Sequence, residues 1–251
     1  MKEGNRVNYA LVLAGGKGER MGYTNMPKPY LLLGDKPIII HTIEQFLINK
    51  NIDKIVVCCA FDWVNYCKDL LKKYIPNNDN IYVTVGGKNR NETIYNGCKF
   101  IIEQFGLNDK DIVLTHDAVR PFISQRIIED NLKKIQEYDA ISTVIFATDT
   151  IVCSEDGNKI SKIPLRSEMY QAQTPQTFKL GKLISVFESL TEEEQKDLTD
   201  ACKAFVINGE EVGLVMGEES NIKITKIFDL KIANAILKER ITNGFNLWSG
   251  R

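Results

Sequence analysis

Short, nearly continuous apolar runs alternate along this chain with stretches whose apolar residues recur at helical spacing, and most apolar runs stop at a glycine-rich or polar turn. Residues 9–14, 54–60, 81–85, 111–115 and 140–147 read as strands. Residues 37–49, 64–74, 91–105 and 124–138 read as helices, the last with Ser124 as N-cap. Strands that lack an apolar–polar alternation are strands buried on both faces. The pattern therefore predicts an α/β fold, a three-layer α/β/α arrangement around a mostly parallel sheet with right-handed crossovers. Ligands in such sheets lie beyond the carboxyl ends of the strands, where the strand order reverses.

The rhythm breaks after residue 148. Residues 150–153 and 159–163 flank a Ser-Glu-Asp-Gly-Asn turn and predict a β-hairpin, with Asp156-Gly157 as its turn. This projecting arm, about residues 149–170, reads equally as an oligomerisation element or a plain surface hairpin. Helices are expected again at 180–190 and 199–208, a strand at 212–216, a short segment at 221–224 and a closing helix at 227–238. Residues 1–240 are expected to form a single domain and 241–251 a loosely ordered tail.

Bulk properties narrow the function classes. The chain has 251 residues, a net charge of −1 and 43% hydrophobic residues. A general nucleic-acid binder carries a basic excess or stripe, and neither is present. No apolar run approaches the ~20 residues needed to cross a bilayer, and residues 1–8 lack an apolar signal core. The expectation is a cytoplasmic protein without nucleic-acid or membrane partners. The six cysteines form no Cys-x-x-Cys pair and only two histidines accompany them, so buried free thiols are expected rather than a zinc site.

The chemistry concentrates where the first strand ends. Leu13-Ala14 runs into Gly15-Gly16-Lys17-Gly18-Glu19-Arg20, with Pro27-Lys28-Pro29 a few residues on. Glycine lets backbone N–H groups approach a ligand closely, and successive N–H groups suit phosphate oxygens. The loop is not a Walker loop, because Gly18 is followed by Glu19-Arg20 rather than Lys-Ser/Thr. It also misses the dinucleotide fingerprint, since Met21 stands where the last glycine belongs. With Arg20 and Lys28 as added positive charge, it points to a nucleotide and to chemistry at a phosphate. The Gly86-Gly87 and His116-Asp117 turns also follow strands and are expected on the same sheet edge.

Taken with Thr115-His116-Asp117-Ala118-Val119-Arg120-Pro121-Phe122, Glu168 to Gln176, Asp200-Ala201-Cys202-Lys203 and Ser220 to Thr225, these stretches resemble one family over residues 8–238: the cytidylyltransferases that join CTP to a polyol phosphate. The resemblance implies their Rossmann-like nucleotidyltransferase fold. Of its branches, the one acting on D-ribitol 5-phosphate is the more similar. The branch acting on 2-C-methyl-D-erythritol 4-phosphate typically reads His-Asp-Ala-Ala-Arg-Pro and carries an Asp where this chain has Lys88.

The reaction so implied is CTP plus ribitol 5-phosphate giving CDP-ribitol and pyrophosphate, by in-line attack at the α-phosphate with Mg²⁺ present. The attacking phosphate oxygen is already anionic, so the enzyme supplies positioning and positive charge rather than a base. The resemblance implies Arg20, Lys28 and Lys223 as catalytic cations. It implies CTP contacts from Leu13, Ala14, Gly15, Gly16, Lys17, Gly18, Gly86, Gly87, Arg90, Thr93, Asp117 and Ala118. Arg90 also reads as a plain helix-start charge. The polyol phosphate is expected against Thr150, Arg166, Gln173, Thr199 and Asp200, with Thr199-Asp200 reading equally well as a helix cap. Asp117, at a strand end, is the candidate Mg²⁺ ligand or a ribose contact, His116 is a structural hydrogen-bonding group, and Arg120 either pairs with Asp117 or orients the turn. In this family the arm reaches the partner subunit's site, so a homodimer is expected. The alternatives are the methylerythritol branch, a sugar 1-phosphate nucleotidylyltransferase, and a non-catalytic nucleotide-binding homologue.

Overall fold

The computed structural model describes residues 6–15, 26–196 and 198–242. In chain order the elements are β1 (Asn8–Ala14), β2 (Leu32–Leu33), β3 (Lys36–Pro37), α1 (Ile38–Leu47), β4 (Lys54–Cys59), α2 (Val64–Tyr74), β5 (Ile81–Val85), α3 (Arg90–Phe105), β6 (Ile112–Asp117), α4 (Gln125–Lys134) and β7 (Ala140–Phe146). They continue with β8 (Tyr170–Lys179), α5 (Leu180–Ser189), α6 (Glu192–Lys196), α7 (Ala201–Ile207), β9 (Val212–Met216) and α8 (Ile227–Thr242).

Seven strands form one sheet in the order β5-β4-β1-β6-β8-β7-β9, and β2 pairs with β3 apart from it. All seven run the same way except β8, which lies antiparallel between β6 and β7. The chain leaves β1 outward through β4 and β5, then returns to the other side of β1 with β6. The order therefore reverses between β1 and β6, and the crevice beyond their carboxyl ends is where such sheets hold ligands.

The side-chain alternation of β1 explains the layers. Ala10, Val12 and Ala14 pack with Ile39, Ile40, Ile43 and Phe46 of α1 and with residues of α2 and α4. Tyr9 and Leu11 pack on the opposite face with Ile94, Cys98 and Ile101 of α3 and with α5 and α7. A smaller cluster of Leu33, Ile38, Phe122, Ile224 and Ala233 seats α8 on the β2–β3 hairpin. The alternating pattern of the sequence thus gives a three-layer α/β/α fold with a mostly parallel sheet. No helix among the described residues is long and apolar enough to cross a membrane.

Four local expectations need correcting. The arm is not a laddered hairpin: Cys153 and Lys162 form a single antiparallel bridge. Its tip is as read, with Gly157 at φ +73° and the Asp156 carboxylate accepting from the N–H groups of Asn158 and Lys159 at 2.8 and 2.9 Å. Strand β8 falls in a stretch given no strand in the sequence reading. Its buried positions include Gln173, Thr174, Gln176 and Thr177, so it shows no apolar signal. The helix expected at 124–138 ends at Lys134, and Ser124 is its N-cap, accepting from Ile127 N–H at 3.4 Å. Ile241 and Thr242 belong to α8 rather than to the tail; residues 243–251 lie outside the described residues.

Helix α3 sits against the sheet through Gly97, where a Cβ would stand 2.5 Å from Leu11 Cδ1 and 2.7 Å from Cys58 Sγ. Overpacking of this kind costs about 1–3 kcal/mol. Gly97→Val is therefore expected to lower the melting temperature by several degrees, read by thermal unfolding; an unchanged transition would show that α3 does not seat as described.

Candidate active site at the carboxyl edge of the sheet

At the reversal point β1 and β6 run side by side, with Leu13 opposite Asp117. Ala118 N–H continues the ladder to Leu13 O at 3.0 Å, and Thr42 Oγ1 donates to Ala118 O at 2.9 Å. On the other side, Gly86 N–H donates to Cys59 O at 2.8 Å, which brings the turn after β5 alongside. Thr93 joins the pieces: its Oγ1 accepts from Gly87 N–H at 3.0 Å and donates to Asn89 O at 2.7 Å. A Cβ on Gly15 would come 3.1 Å from Thr93 Oγ1, and one on Gly86 3.0 Å from Thr93 Cγ2. Glycine at both positions lets the two turns close on Thr93.

Asp117 is the electrostatic centre. It is 6% exposed, yet its carboxylate meets Arg90 Nε at 3.4 Å, Arg120 Nε at 3.2 Å and Lys223 Nζ at 3.0 Å. Burial pushes its pKa up, but Arg90, Lys223 and Arg120 together outweigh burial and hold it well below the usual carboxylate range. Arg90 is the first residue of α3, started by Asn89, whose side chain accepts from Glu92 N–H at 2.9 Å. Arg120 is buried, and its Nη1 donates to Asn221 O at 2.8 Å.

A second layer of hydrogen bonds fixes this cluster. Asp117 N–H donates to Thr174 Oγ1 at 3.2 Å. Thr174 Oγ1 stands 3.0 Å from His116 Nδ1, and His116 Nε2 stands 3.1 Å from Arg120 O. A carbonyl only accepts, so Nε2 carries the proton and Nδ1 accepts from the threonine hydroxyl. Burial lowers the His116 pKa to about 4, so this ring is neutral and both its nitrogens are engaged. Asn221 Nδ2 donates to Gln173 Oε1 at 3.1 Å and to Thr174 O at 2.8 Å. Sequence reading matched the motifs that hold Thr174 and Asn221 but gave neither residue a role; only the packing of β8 against β6 supplies one.

The predicted residues fall into distinct groups. Leu13, Ala14, Gly15, Gly86, Gly87, Arg90, Thr93, Asp117, Ala118 and Lys223 converge at the reversal point. Lys28 opens a 3₁₀ turn between buried Pro27 and Pro29. That turn is anchored by Tyr30, whose ring stacks on Trp63 at 5.0 Å and meets Tyr66 edge-on at 5.4 Å. Gly16, Lys17, Gly18 and Arg20 lie outside the described residues. Thr150 and Arg166 are exposed on the arm, and among the described residues neither contacts the Asp117 cluster within one chain.

Three polar side chains named in the sequence reading are engaged within the protein, Asp200 in the helix cap that was its alternative reading. Gln173 is 6% exposed, and its side chain serves Asn221 and the Glu218 carbonyl, the latter at 2.9 Å. Asp200 caps α7 by accepting from Cys202 N–H at 2.7 Å and accepts from Gln176 Nε2 at 2.7 and 2.6 Å. Thr199 is exposed beside it. Both oxygens of Asp117 face cations, Arg90 on Oδ1 and Arg120 and Lys223 on Oδ2.

Residues 8–239 match the family model described as 2-C-methyl-D-erythritol 4-phosphate cytidylyltransferase. Over 232 residues the chain is 49% identical to the ribitol-5-phosphate cytidylyltransferase of Lactiplantibacillus plantarum, covering 92% of this chain and 99% of that protein. Identity to the protein of the same name from Streptococcus pneumoniae serotype 2 is 50%, with the same coverage. Among solved structures, the chain resembles the 4-diphosphocytidyl-2C-methyl-D-erythritol synthase of Anaerococcus prevotii with a TM-score of 0.77 and 28% identity, covering 93% of this chain and 96% of that one. It resembles the Francisella tularensis 2-C-methyl-D-erythritol 4-phosphate cytidylyltransferase with a TM-score of 0.76 and 29% identity, covering 91% and 99%.

The buried neutral His116 carries a pH signature. Below its ordinary value of 6.5 the unfolded chain takes up a proton that the folded chain refuses down to about 4. Stability is thus full above that window, falls as pH drops through it, and levels off below it, a loss on the order of 3 kcal/mol for this ring. His41 is shifted the same way by burial, so the measurement is a difference: urea unfolding at neutral and mildly acid pH, with His116→Gln expected to show the smaller acid loss. Equal losses in the two proteins would remove His116 from the account.

Proposed function

This chain belongs to the family of cytidylyltransferases that act on polyol phosphates, and we propose that it joins CTP to D-ribitol 5-phosphate, releasing pyrophosphate and forming CDP-ribitol. The observation that carries the chemistry is the convergence of Arg90, Arg120 and Lys223 on Asp117 at the sheet's reversal point. The choice of acceptor rests on about half of all positions being identical to ribitol-5-phosphate cytidylyltransferases, against 28–29% for the methylerythritol enzymes.

In this reading a non-bridging oxygen of ribitol 5-phosphate bonds to the α-phosphorus of CTP. The bond to the β-phosphate's bridging oxygen breaks, and pyrophosphate leaves with that electron pair. No proton moves in the step, and a base is not needed. His116, neutral and hydrogen-bonded at both nitrogens, is not one. The rate then comes from positioning and from cations aimed at charge on the crowded phosphorus. Lys28 and Lys223 serve that purpose with Arg20, and Lys17 braces the outer phosphates. Leu13, Ala14, Gly15, Gly86, Gly87 and Thr93 present backbone and hydroxyl groups to the pyrimidine. Rigid peptide groups tell cytosine's amino donor from uracil's carbonyl acceptor. Mg²⁺ enters with the triphosphate as part of the substrate.

The polyol phosphate is taken by Thr150 and Arg166 from the arm of a second copy. Two observations support this: both residues are exposed and make no hydrogen bond or ion pair to the Asp117 cluster in their own chain, and the arm carries exposed Val152, Ile160, Ile163 and Leu165, an apolar set suited to burial in a homodimer. The proposed setting is the cytoplasm, where the six free cysteines stay reduced.

The family model's own description favours methylerythritol 4-phosphate as a second acceptor reading. Pyrophosphate release with CTP, Mg²⁺ and each polyol phosphate in turn decides between them. Turnover is expected with ribitol 5-phosphate, and Lys28→Ala is expected to lower it about a hundredfold to a thousandfold, the scale of one lost transition-state contact. Turnover with the methylerythritol substrate alone overturns the acceptor, and an unchanged Lys28→Ala rate overturns the role of that lysine.

A further inference from the structure

The segment that delivers Lys223 is held by an acidic residue with no part in the chemistry above. Glu218 follows β9, and Arg126 of α4 grips it: Arg126 Nε and Nη2 donate to Glu218 Oε1 at 3.2 and 3.0 Å. The same guanidinium donates to the backbone carbonyls of Met216 at 3.1 Å and Gly217 at 3.2 Å. Ser124 Oγ donates to Glu218 Oε1 at 2.7 Å, and Ser220 Oγ to Oε2 at 3.3 Å. The Glu218 backbone carbonyl accepts from Gln173 Nε2 and from Asn221 N–H, at 2.9 and 3.0 Å. An exposed ion pair alone stabilises little. This one also fixes two peptide groups at the start of a loop, and so fixes where the loop goes.

The loop has little freedom beyond that point. Gly217 N–H donates to Val144 O at 2.7 Å, and a Cβ on Gly217 would overlap the Gln173 carboxamide. Asn221 is held by Gln173, Thr174 and Arg120, and Ile224 N–H donates to Val119 O at 2.9 Å. Lys223 stands between those two anchors, and its Nζ meets Asp117 Oδ2 at 3.0 Å. We propose that Glu218, clamped by Arg126, is a positioning residue that sets where the Lys223 ammonium stands against the reacting phosphate. This rests on the cytidylyltransferase reading of Lys223 and adds a residue pair outside the cation cluster.

The test is a double-mutant cycle on pyrophosphate release with CTP and ribitol 5-phosphate, using Arg126→Gln, Glu218→Ala, Lys223→Ala, and each clamp variant combined with Lys223→Ala. Each clamp variant alone is expected to lower kcat about tenfold, as a displaced catalytic group does. Combined with Lys223→Ala, neither is expected to add more than about twofold, because the group being positioned is gone. Glu218→Gln, which keeps an acceptor for Ser124 and Arg126, is expected to restore most of the rate. The same full additional loss in the Lys223→Ala background, or unchanged kcat in both clamp variants, overturns the proposal. Arg126 is half-exposed, so its variant keeps the test open should Glu218→Ala not fold. Absence of turnover by the unaltered protein with either polyol phosphate overturns the acceptor reading instead. The cycle is then read on the CTP dissociation constant by titration calorimetry, where additive losses again defeat the clamp.

Discussion

A carboxylate buried as deeply as Asp117 stays ionised only if cations surround it, since moving a lone charge out of water costs far more than a fold has to spare. Its three cations come from distant parts of the chain: Arg90 from the first turn of α3, Arg120 from the loop after β6, and Lys223 from the loop after β9. Each must arrive for the carboxylate to be tolerated, and the carboxylate in turn keeps three positive charges from repelling one another apart. The site is thus preassembled around an internal anion.

That arrangement divides the reversal point into two halves. On the β4–β5 side, Gly15, Gly86, Gly87 and Thr93 present mainly peptide groups, packed so closely that Gly15 and Gly86 leave little space for a side chain. On the β6–β8 side, side-chain charge dominates and is braced by buried neutral hydrogen bonds through His116, Thr174 and Asn221. In the proposed reading the first half takes the pyrimidine and the second neutralises phosphates. The single antiparallel strand matters here, because β8 brings Thr174 and Gln173 beside Asp117 from the direction opposite to every neighbouring strand.

What the sequence made legible follows from where apolar signal exists. The parallel strands and the helices covering them are apolar on the faces they bury, so β1, β4, β5 and β9 and helices α2 and α3 stand where the periodicity put them to within about a residue. The glycine turns at Gly15 and Gly86-Gly87 were legible because glycine is chosen for close approach. Strand β8 was not, because its buried positions include Gln173, Thr174, Gln176 and Thr177, whose side chains hydrogen-bond to distant residues. For the same reason the sequence could not show that Gln173 serves Asn221 and the Glu218 carbonyl or that Gln176 reaches Asp200: a polar side chain's partner is a fact of three dimensions. The short arm ladder failed in the other direction, since a good Asp156-Gly157 turn fixes a reversal without fixing the length of strand on either side.

Five of the six cysteines are buried, and the exception, Cys153, sits at the one bridge of the arm. The fold has in effect shielded every thiol but one and left that one on the element expected to cross between subunits. A maleimide dye added to the unaltered chain would therefore attach at a single place, on the arm, and protection of that thiol would report whatever comes to cover it. The protein carries its own spectroscopic handle on the proposed role of the arm, without a residue having to be changed.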